Sequence, residues 1–219
     1  TRLEQSDDVM LEVKRIVKEF YSEHKRIIFN GNGYATDWIS EAEKRGLPNL
    51  SNTVEALSHL DDPEYLALFE KHKVFTAAEV RSRKEIYLET YAEQLNIEGC
   101  VMVKMARQMA IPAAHRYLTT LLSSLETQRE VGMHPKAQTA LAQRLFEHIE
   151  KALEAVDALE KGLADAKGLE HEILDQARFV HRSVLPLMEC LRSHVDELEL
   201  MTDTSYWPYP SYEDMLFRL

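Results

Sequence analysis

Residues 135–167, PKAQTALAQRLFEHIEKALEAVDALEKGLADAK, indicate the fold more directly than any other stretch. Apolar side chains recur in it at steps of three or four residues: Leu141, Leu145, Ile149, Leu153, Val156, Leu159 and Leu163. This spacing places them along one side of an α-helix, in a coiled-coil-like seam of about three heptads. We therefore predict one helix from about Pro135 to Ala166, about 48 Å long at roughly 1.5 Å per residue.

A second helix is predicted to return along the first. Lys167-Gly168 marks a turn, and apolar residues then recur at helical spacing: Ile173, Leu174, Ala177, Val180, Leu187, Leu191, Val195 and Leu198. Helices joined by a short turn pack antiparallel, so we predict a hairpin over about residues 135–200. Pro186 should kink the second arm, because proline lacks the N–H donor. Cys190, beside Leu191 on the seam, is expected to be a small buried side chain.

The first half of the chain is also helical by pattern. Glycine and proline number only 7 each, and residues 7–22 are amphipathic at helical spacing. Thr76 and Glu79 form a capping box that opens a long helix, with a weak point at residues 96–99. Pro112 should break or kink that helix. The prediction is an all-α chain, a helical bundle with a long antiparallel hairpin.

Composition and charge exclude several classes of partner. The formal net charge of −11 disfavours nucleic acid, whose phosphates are bound by Lys and Arg, and disfavours an anionic membrane surface. No apolar run approaches the roughly 20 residues of a membrane span, and no signal peptide is expected from the residues given. The two cysteines, Cys100 and Cys190, are far apart. This usage suggests a cytoplasmic setting.

The end of the chain differs in kind. Residues 205–219 have the sequence SYWPYPSYEDMLFRL, with five aromatic residues among fifteen. Pro208 and Pro210 keep the backbone extended. So apolar a segment should dock on its own chain or on a neighbouring subunit, because aromatic side chains are common anchors in interfaces. The predicted docking residues are Trp207, Tyr209, Tyr212 and Phe217.

The glycines of FNGNGY are the densest in the chain. Asn30-Gly31 and Asn32-Gly33 stand back to back, and a phosphate-cradling loop, a tight turn or a family signature could each account for them. A dinucleotide fingerprint needs a third glycine where Thr36 stands and a βαβ unit around it, and neither is present. A turn with positive φ at Asn and Gly positions is favoured instead.

No catalytic constellation is visible. None of the nine histidines has Glu or Asp three residues before it, which excludes a ferritin-like di-metal bundle. His171 with Asp175, and Cys190 with His194, have i,i+4 spacing, but two ligands do not make a metal site. Nucleophile elbow, P-loop and metalloprotease motifs are absent. We therefore predict no catalytic, cofactor-binding or metal-binding residue.

Several stretches, in chain order, resemble the C-terminal region of type III glutamine synthetases. They are KRIIFNGNGYATDWISEAEKRGL, LPNLSNTVEAL, LFEKHKVFTAAEVRSRKEIYLETYAEQLNIEG, MARQMAIPAAHRYL and WPYPSYEDMLF. Agreement of separate motifs over nearly the whole chain makes the resemblance specific. By this resemblance, Asn30, Gly31, Asn32 and Gly33 are a family-signature turn.

The resemblance implies a part of an enzyme without its active site. Such enzymes join ammonia to glutamate with ATP and a divalent metal such as Mg²⁺, and nothing here resembles their active-site residues. Residues 1–95 resemble the end of the catalytic domain, and residues 96–219 the type III-specific helical region with its tail at 201–219. The implied partners are an upstream catalytic domain and identical subunits. A start at Thr1, without an initiator Met, fits either N-terminal processing or the C-terminal piece of a longer protein.

A second interpretation remains open. The chain could be a freestanding helical-bundle interaction module whose hairpin binds a partner helix. Composition and periodicity fit both interpretations equally, and the resemblance favours the first. Under the first, this chain alone is expected to be inactive, with a structural or assembly role.

Overall fold

The computed structural model describes residues 2–5, 7–169 and 171–217, and the side chains of Tyr212, Glu213 and Phe217 lie outside this description. Over these ranges the regular structure is helical and no β-strand occurs. The predicted all-α class is therefore confirmed. Internal contacts divide the chain into two units, Thr1–Asn52 and Thr53–Leu219. The boundary expected near residue 95 separates two regions that the resemblance implies. It falls within a continuous helix and stays a prediction.

The first unit holds α1 (Val9–Glu23), a 3₁₀ turn (Lys25–Ile27) and α2 (Thr36–Lys44). Asp8 caps α1, and its side chain accepts a hydrogen bond of 3.0 Å from the Leu11 N–H. No residue of α1 is buried, although its apolar residues recur at helical spacing. Ala42 of α2, by contrast, is fully buried. The apolar face of α1 is exposed, because none of its residues is buried.

Two arginines hold the 3₁₀ turn to the end of α2. Arg26 donates to the carbonyls of Arg45 and Gly46, at 2.5 and 2.7 Å. Arg45 donates in return to the carbonyls of Arg26 and Ile28, at 3.2 and 2.7 Å. Gly46 has φ +63°, the left-handed conformation that closes a helix at its C-terminus. These bonds satisfy carbonyl groups that the helix end leaves without partners.

The FNGNGY segment is a turn, but not the left-handed one expected from its Asn-Gly pairs. Over the described residues, positive φ occurs at Lys73, Gly46 and Gly132 and not within residues 30–33. Asn32 closes the turn instead, accepting the Tyr34 N–H at 3.0 Å on its side-chain oxygen. Gly31 leaves room for a ring: a Cβ there would lie 2.5 Å from Cζ of Phe29, so the Phe29 ring would have to shift. The Phe29 ring in turn packs on Trp38, with centroids 4.7 Å apart.

The second unit begins with two short helices, α3 (Thr53–Ser58) and α4 (Pro63–Lys71), and then α5 (Ala77–Met105). The predicted capping box opens α5: the Thr76 N–H donates to Glu79 at 2.8 Å, and the Glu79 N–H donates to Thr76. The expected weak point at residues 96–99 does not interrupt α5. Gly99 faces Leu163, and a Cβ there would lie 2.8 Å from Cδ2 of Leu163, so glycine permits a close helix approach.

The remaining helices are α6 (Ile111–Glu130), α7 (Lys136–Lys167), α8 (Ile173–Phe179), α9 (Leu185–Met201) and α10 (Tyr212–Phe217). The helix predicted over residues 135–166 is thus confirmed to within a residue at each end. Five residues of its predicted seam are buried, and the other two, Leu141 and Leu153, pack partly buried on the same core.

Each mid-helix proline is preceded by a π-helical turn. Ala106–Ala110 joins α5 to α6 before Pro112, and Val180–Val184 joins α8 to α9 before Pro186. In each turn an N–H reaches five residues back, from Ile111 to Ala106 and from Leu185 to Val180. The extra residue accommodates a proline that has no N–H and would crowd the preceding turn. Helix therefore continues through both prolines, over residues 77–130 and 173–201.

Contacts between α7 and α9 run in opposite order along the two helices. Arg144 lies 3.8 Å from Glu197, the rings of His148 and His194 are 5.5 Å apart, and Gly162 faces Leu187. The 77–130 helix packs on the same core, and Arg107 binds Asp157 and Glu160 of α7.

A second, smaller core lies among α3, α5 and α8. Val54, Leu88 and Ala177 are buried there. Lys84 of α5 donates to the carbonyl of Ser58 at 3.0 Å and to Asp61 at 2.6 Å. This bond from the Lys84 ammonium lowers the pKa of Asp61 below its usual range. Lys84 thus fixes the α3–α4 loop to α5.

Candidate assembly site

The aromatic tail begins with a turn at the end of α9. Asp203 accepts hydrogen bonds from the hydroxyl and the N–H of Ser205, and both lower the pKa of Asp203, the hydroxyl more. The Tyr206 N–H donates to the Asp203 carbonyl at 2.9 Å. This turn reverses the chain, because the residues that follow lie against successively earlier positions of the 77–130 helix.

Tyr206 is the first contact of the tail with α6. Its ring lies 5.5 Å from that of Tyr117, tilted by 54°. Its hydroxyl is 2.9 Å from Oγ1 of Thr120, and either oxygen can donate. Tyr206 was not among the predicted docking residues. Its place in the cluster of tail aromatics is the sequence signal that could have included it.

Trp207 and Tyr209 are the next two contacts. Trp207 packs partly buried against the core that the 77–130 helix, α7 and α9 form, and its ring meets that of Tyr209 edge to face at 5.7 Å. The Tyr209 hydroxyl donates to the Met105 carbonyl at 3.2 Å. That carbonyl lies beside the π-helical turn. Burial raises the pKa of Tyr209, and the charge of Glu199 raises it further.

A partly open pocket of about 290 Å³ lies among α5, α9 and the tail. Its lining includes Met102 and Met105 of α5, Leu191 and Val195 of α9, and the rings of Trp207 and Tyr209. The indole Nε1 of Trp207 is buried and finds no hydrogen-bond partner in the described part of the chain. The tail therefore covers the seam between two helices.

The predicted site residues are placed as follows. Trp207 and Tyr209 lie on their own chain, at the α5–α9 seam. The side chains of Tyr212 and Phe217 lie outside the described residues, although both belong to α10. An α10 capping box is present, in which the Ser211 N–H donates to Asp214 at 3.1 Å. A role of these residues in oligomer docking stays a prediction.

The described residues offer no fit for the metal that the family enzymes use. Across ranges 2–5, 7–169 and 171–217, no group of three His, Cys, Asp or Glu side chains comes together. His194 meets His148 rather than completing a site with Cys190.

Cys190 is exposed, so its expected burial is wrong: Leu191 takes the seam position beside it. No helix in the described part of the chain is long and apolar enough to span a membrane.

A long helical bundle with the start of an aromatic tail packed against it defines an all-α domain. A family model described as the glutamine synthetase C-terminal domain matches residues 12–129, more than half of the chain. The chain belongs to this family.

Curated relatives agree. The chain is 35% identical over 216 residues to a glutamine synthetase of Butyrivibrio fibrisolvens, an alignment that covers 97% of this chain and 31% of that protein. It is 30% identical to a glutamine synthetase of Bacteroides fragilis (93% of this chain, 28% of that protein). A type-3 glutamine synthetase of Dictyostelium discoideum is 29% identical (93% and 28%). The predicted resemblance is confirmed, and the chain spans about 30% of the length of these relatives.

Proposed function

We propose that this chain is the helical C-terminal region of a type III glutamine synthetase and serves the assembly of that enzyme. The whole protein would join ammonia to glutamate in the cytoplasm, driven by ATP with a divalent metal such as Mg²⁺. The chemistry would belong to the rest of the polypeptide. The family match, the length of the relatives and the lack of a catalytic cluster among the described residues all support this division.

The exposed apolar face of α1 is the observation that carries the assembly role. Val9, Val17 and Phe20 are 51%, 60% and 58% exposed, on a helix with no buried residue. Fully burying one such side chain stabilises a protein by about 1.5–3 kcal/mol, so several together make a strong packing surface. Relatives about three times longer supply a natural partner: the catalytic part of the same polypeptide, or that of an identical subunit.

The tail would contribute by giving the bundle its outer surface. Trp207 and Tyr209 contact both α9 and α5. They would therefore keep these two helices in the arrangement that a neighbouring subunit packs against. Tyr212 and Phe217 follow on α10 and are proposed to complete the docking. Loss of the tail would then loosen the assembled enzyme without altering its active site.

The first test is to sequence the reading frame upstream of Thr1. An open frame that brings the total to about 700 residues is expected, since 216 aligned residues are 31% of the Butyrivibrio protein. A start codon directly before Thr1 would overturn the proposal and favour the freestanding interaction module.

The second test measures the native mass of the full-length enzyme. Val17→Ser with Phe20→Ser should lower the mass or release free subunits, because the α1 face loses its apolar contact. Leu200→Ser, at an 81% exposed position of α9, is the matched control and should leave the mass unchanged. Unchanged mass and activity in the α1 variant would contradict the assembly role of this face.

A further inference from the structure

An open apolar groove lies between α6 and α7. It encloses about 600 Å³, with Leu118, Leu122 and Leu125 on the α6 side and Ala142 and Phe146 on the α7 side. Leu125 and Ala142 are buried in the groove floor, whereas Leu122 and Phe146 are about half exposed on its walls. A floor and walls of this kind are what a short amphipathic helix requires.

One end of the groove is basic. The surface at that end is lined by Arg129, His134 and Lys136, and no acidic side chain contributes to its lining. Glu126 and Glu130 line the groove itself, on the α6 side. A helix with an acidic end that docks in this groove would therefore place that end near Arg129 and Lys136, at the N-terminus of α7.

The last helix of the chain has this composition. α10 begins YED, with Glu213 and Asp214 in its first turn, and continues with Met215 and Leu216. Met215 is 59% exposed and Leu216 is 71% exposed, so most of their apolar surface is open to solvent in the single chain. The helix thus carries acidic residues at its start and apolar residues after them.

The groove of the same chain is out of reach of α10. Tyr209 is held at Met105 by its hydrogen bond, and the tail runs toward earlier positions of the 77–130 helix. Leu122, at the centre of the groove, lies about 26 Å along that helix from Met105. Met215 follows Tyr209 by three extended residues and a turn of helix, about 15 Å in all. The tail also occupies the α5–α9 side, whereas the groove lies between α6 and α7.

From this geometry we infer that α10 of one copy docks in the α6–α7 groove of a second copy. Met215 and Leu216 enter between Leu122 and Phe146, and the acidic start of α10 lies at Arg129 and Lys136. The inference rests on the proposed assembly function only for the identity of the partner, a second copy of this chain. Its residues are distinct from the α1 face.

The test uses the 219-residue chain and a fluorescent peptide of residues 211–217. The tail variant is Met215→Ser with Leu216→Ser, and the groove variant is Leu122→Ser with Phe146→Ser. The matched control is Ile86→Ser with Ile97→Ser, which alters two other exposed apolar side chains of the second unit. Circular dichroism melts establish that each variant is folded.

Sedimentation velocity over a concentration series should show self-association of the natural chain. The tail variant and the groove variant should each associate at least tenfold more weakly, and the control should be unchanged. A mixture of the two variants should associate better than either alone, since one supplies an intact groove and the other an intact tail. The peptide should bind the tail variant, lose at least tenfold in affinity for the groove variant, and bind more weakly as salt rises or with Arg129→Glu.

A peptide that binds the groove variant as well as the natural chain, or that binds neither, would overturn the inference. So would self-association that neither variant weakens. That last outcome would leave the proposed function intact, because the native mass of the full-length enzyme tests it through α1. A start codon before Thr1 would instead remove the proposed function and leave the peptide result to stand alone.

Discussion

Replacing Trp207 tests whether the tail is bound to its own bundle in solution. Full truncation of a buried tryptophan costs about 3–5 kcal/mol, and Trp207 is only partly buried against the core. Its Nε1–H is buried with no partner in the described residues, and such a donor costs about 1–3 kcal/mol, which truncation recovers. We therefore expect Trp207→Ala to lower the free energy of unfolding by about 2 kcal/mol. For a domain of this size that lowers Tm by about 4–8 °C.

Trp207→Phe separates the two contributions. Phenylalanine keeps most of the apolar contact and removes the unpaired donor, so its free energy of unfolding should stay within about 1 kcal/mol of the natural value. Leu200→Ala, at a nearby exposed position, is the control for truncation as such. The chain has two tryptophans, so fluorescence of Trp207→Ala reports Trp38 alone while circular dichroism reports the helices.

Two results would refute this reasoning. A Trp207→Ala variant that melts with the natural chain would mean that the tail is not docked. A Trp207→Phe variant as unstable as Trp207→Ala would mean that the indole N–H has a partner in solution, so that the energy lies in that bond rather than in apolar contact.

Three further changes have defined outcomes. Tyr209→Phe removes one hydrogen bond and should cost about 0.5–1.5 kcal/mol in urea unfolding, whereas Tyr34→Phe, at a fully exposed ring, should cost nothing. Thr76→Ala removes the α5 cap and should cost about 0.5–2 kcal/mol in the same assay, with Thr76→Ser close to the natural chain. Burial, and then the charge of His148, lowers the pKa of His194 from 6.5, so the unfolded chain binds a proton that the folded chain does not. Tm should therefore fall as pH falls below about 6.5, and His194→Gln should flatten that slope; an unchanged slope would count against it.

Local signals in the sequence predicted much of the helical structure. The α7 seam repeats every three or four residues, and the capping box at Thr76 lies within four residues of chain. Both features depend only on residues a few positions apart in the chain, so they can be recognised in the sequence. The aromatic composition of the tail predicted a segment that docks on its own chain or on a neighbouring subunit, and it gave no sign of the turn at Asp203 or of the contact that Tyr206 makes with Thr120.

Predictions that depended on how the helices pack and turn were less successful. A break at Pro112 was one expected outcome, yet one extra residue in a π-helical turn lets the helix continue there, as it does at Pro186. The kinks expected at Pro112 and Pro186 stay predictions. The Asn-Gly pairs were expected to need positive φ, but their φ angles are not positive, and Gly31 instead leaves room for the Phe29 ring beside it. Cys190 was expected on the buried seam, and the helix turns it to solvent.

Helix content, helix limits and family membership thus follow from residues close together in the chain, since capping, periodicity and motif identity are local. Local sequence does not determine which helix faces pack together, because that packing depends on side chains far apart in the chain. Gly99 meets Leu163, Tyr91 bonds His181 at 3.1 Å, and Tyr209 bonds Met105. The tail's direction, and with it the separation of α10 from the α6–α7 groove, arises from such contacts alone. Periodicity marks a face as apolar, but only packing determines whether that face is covered.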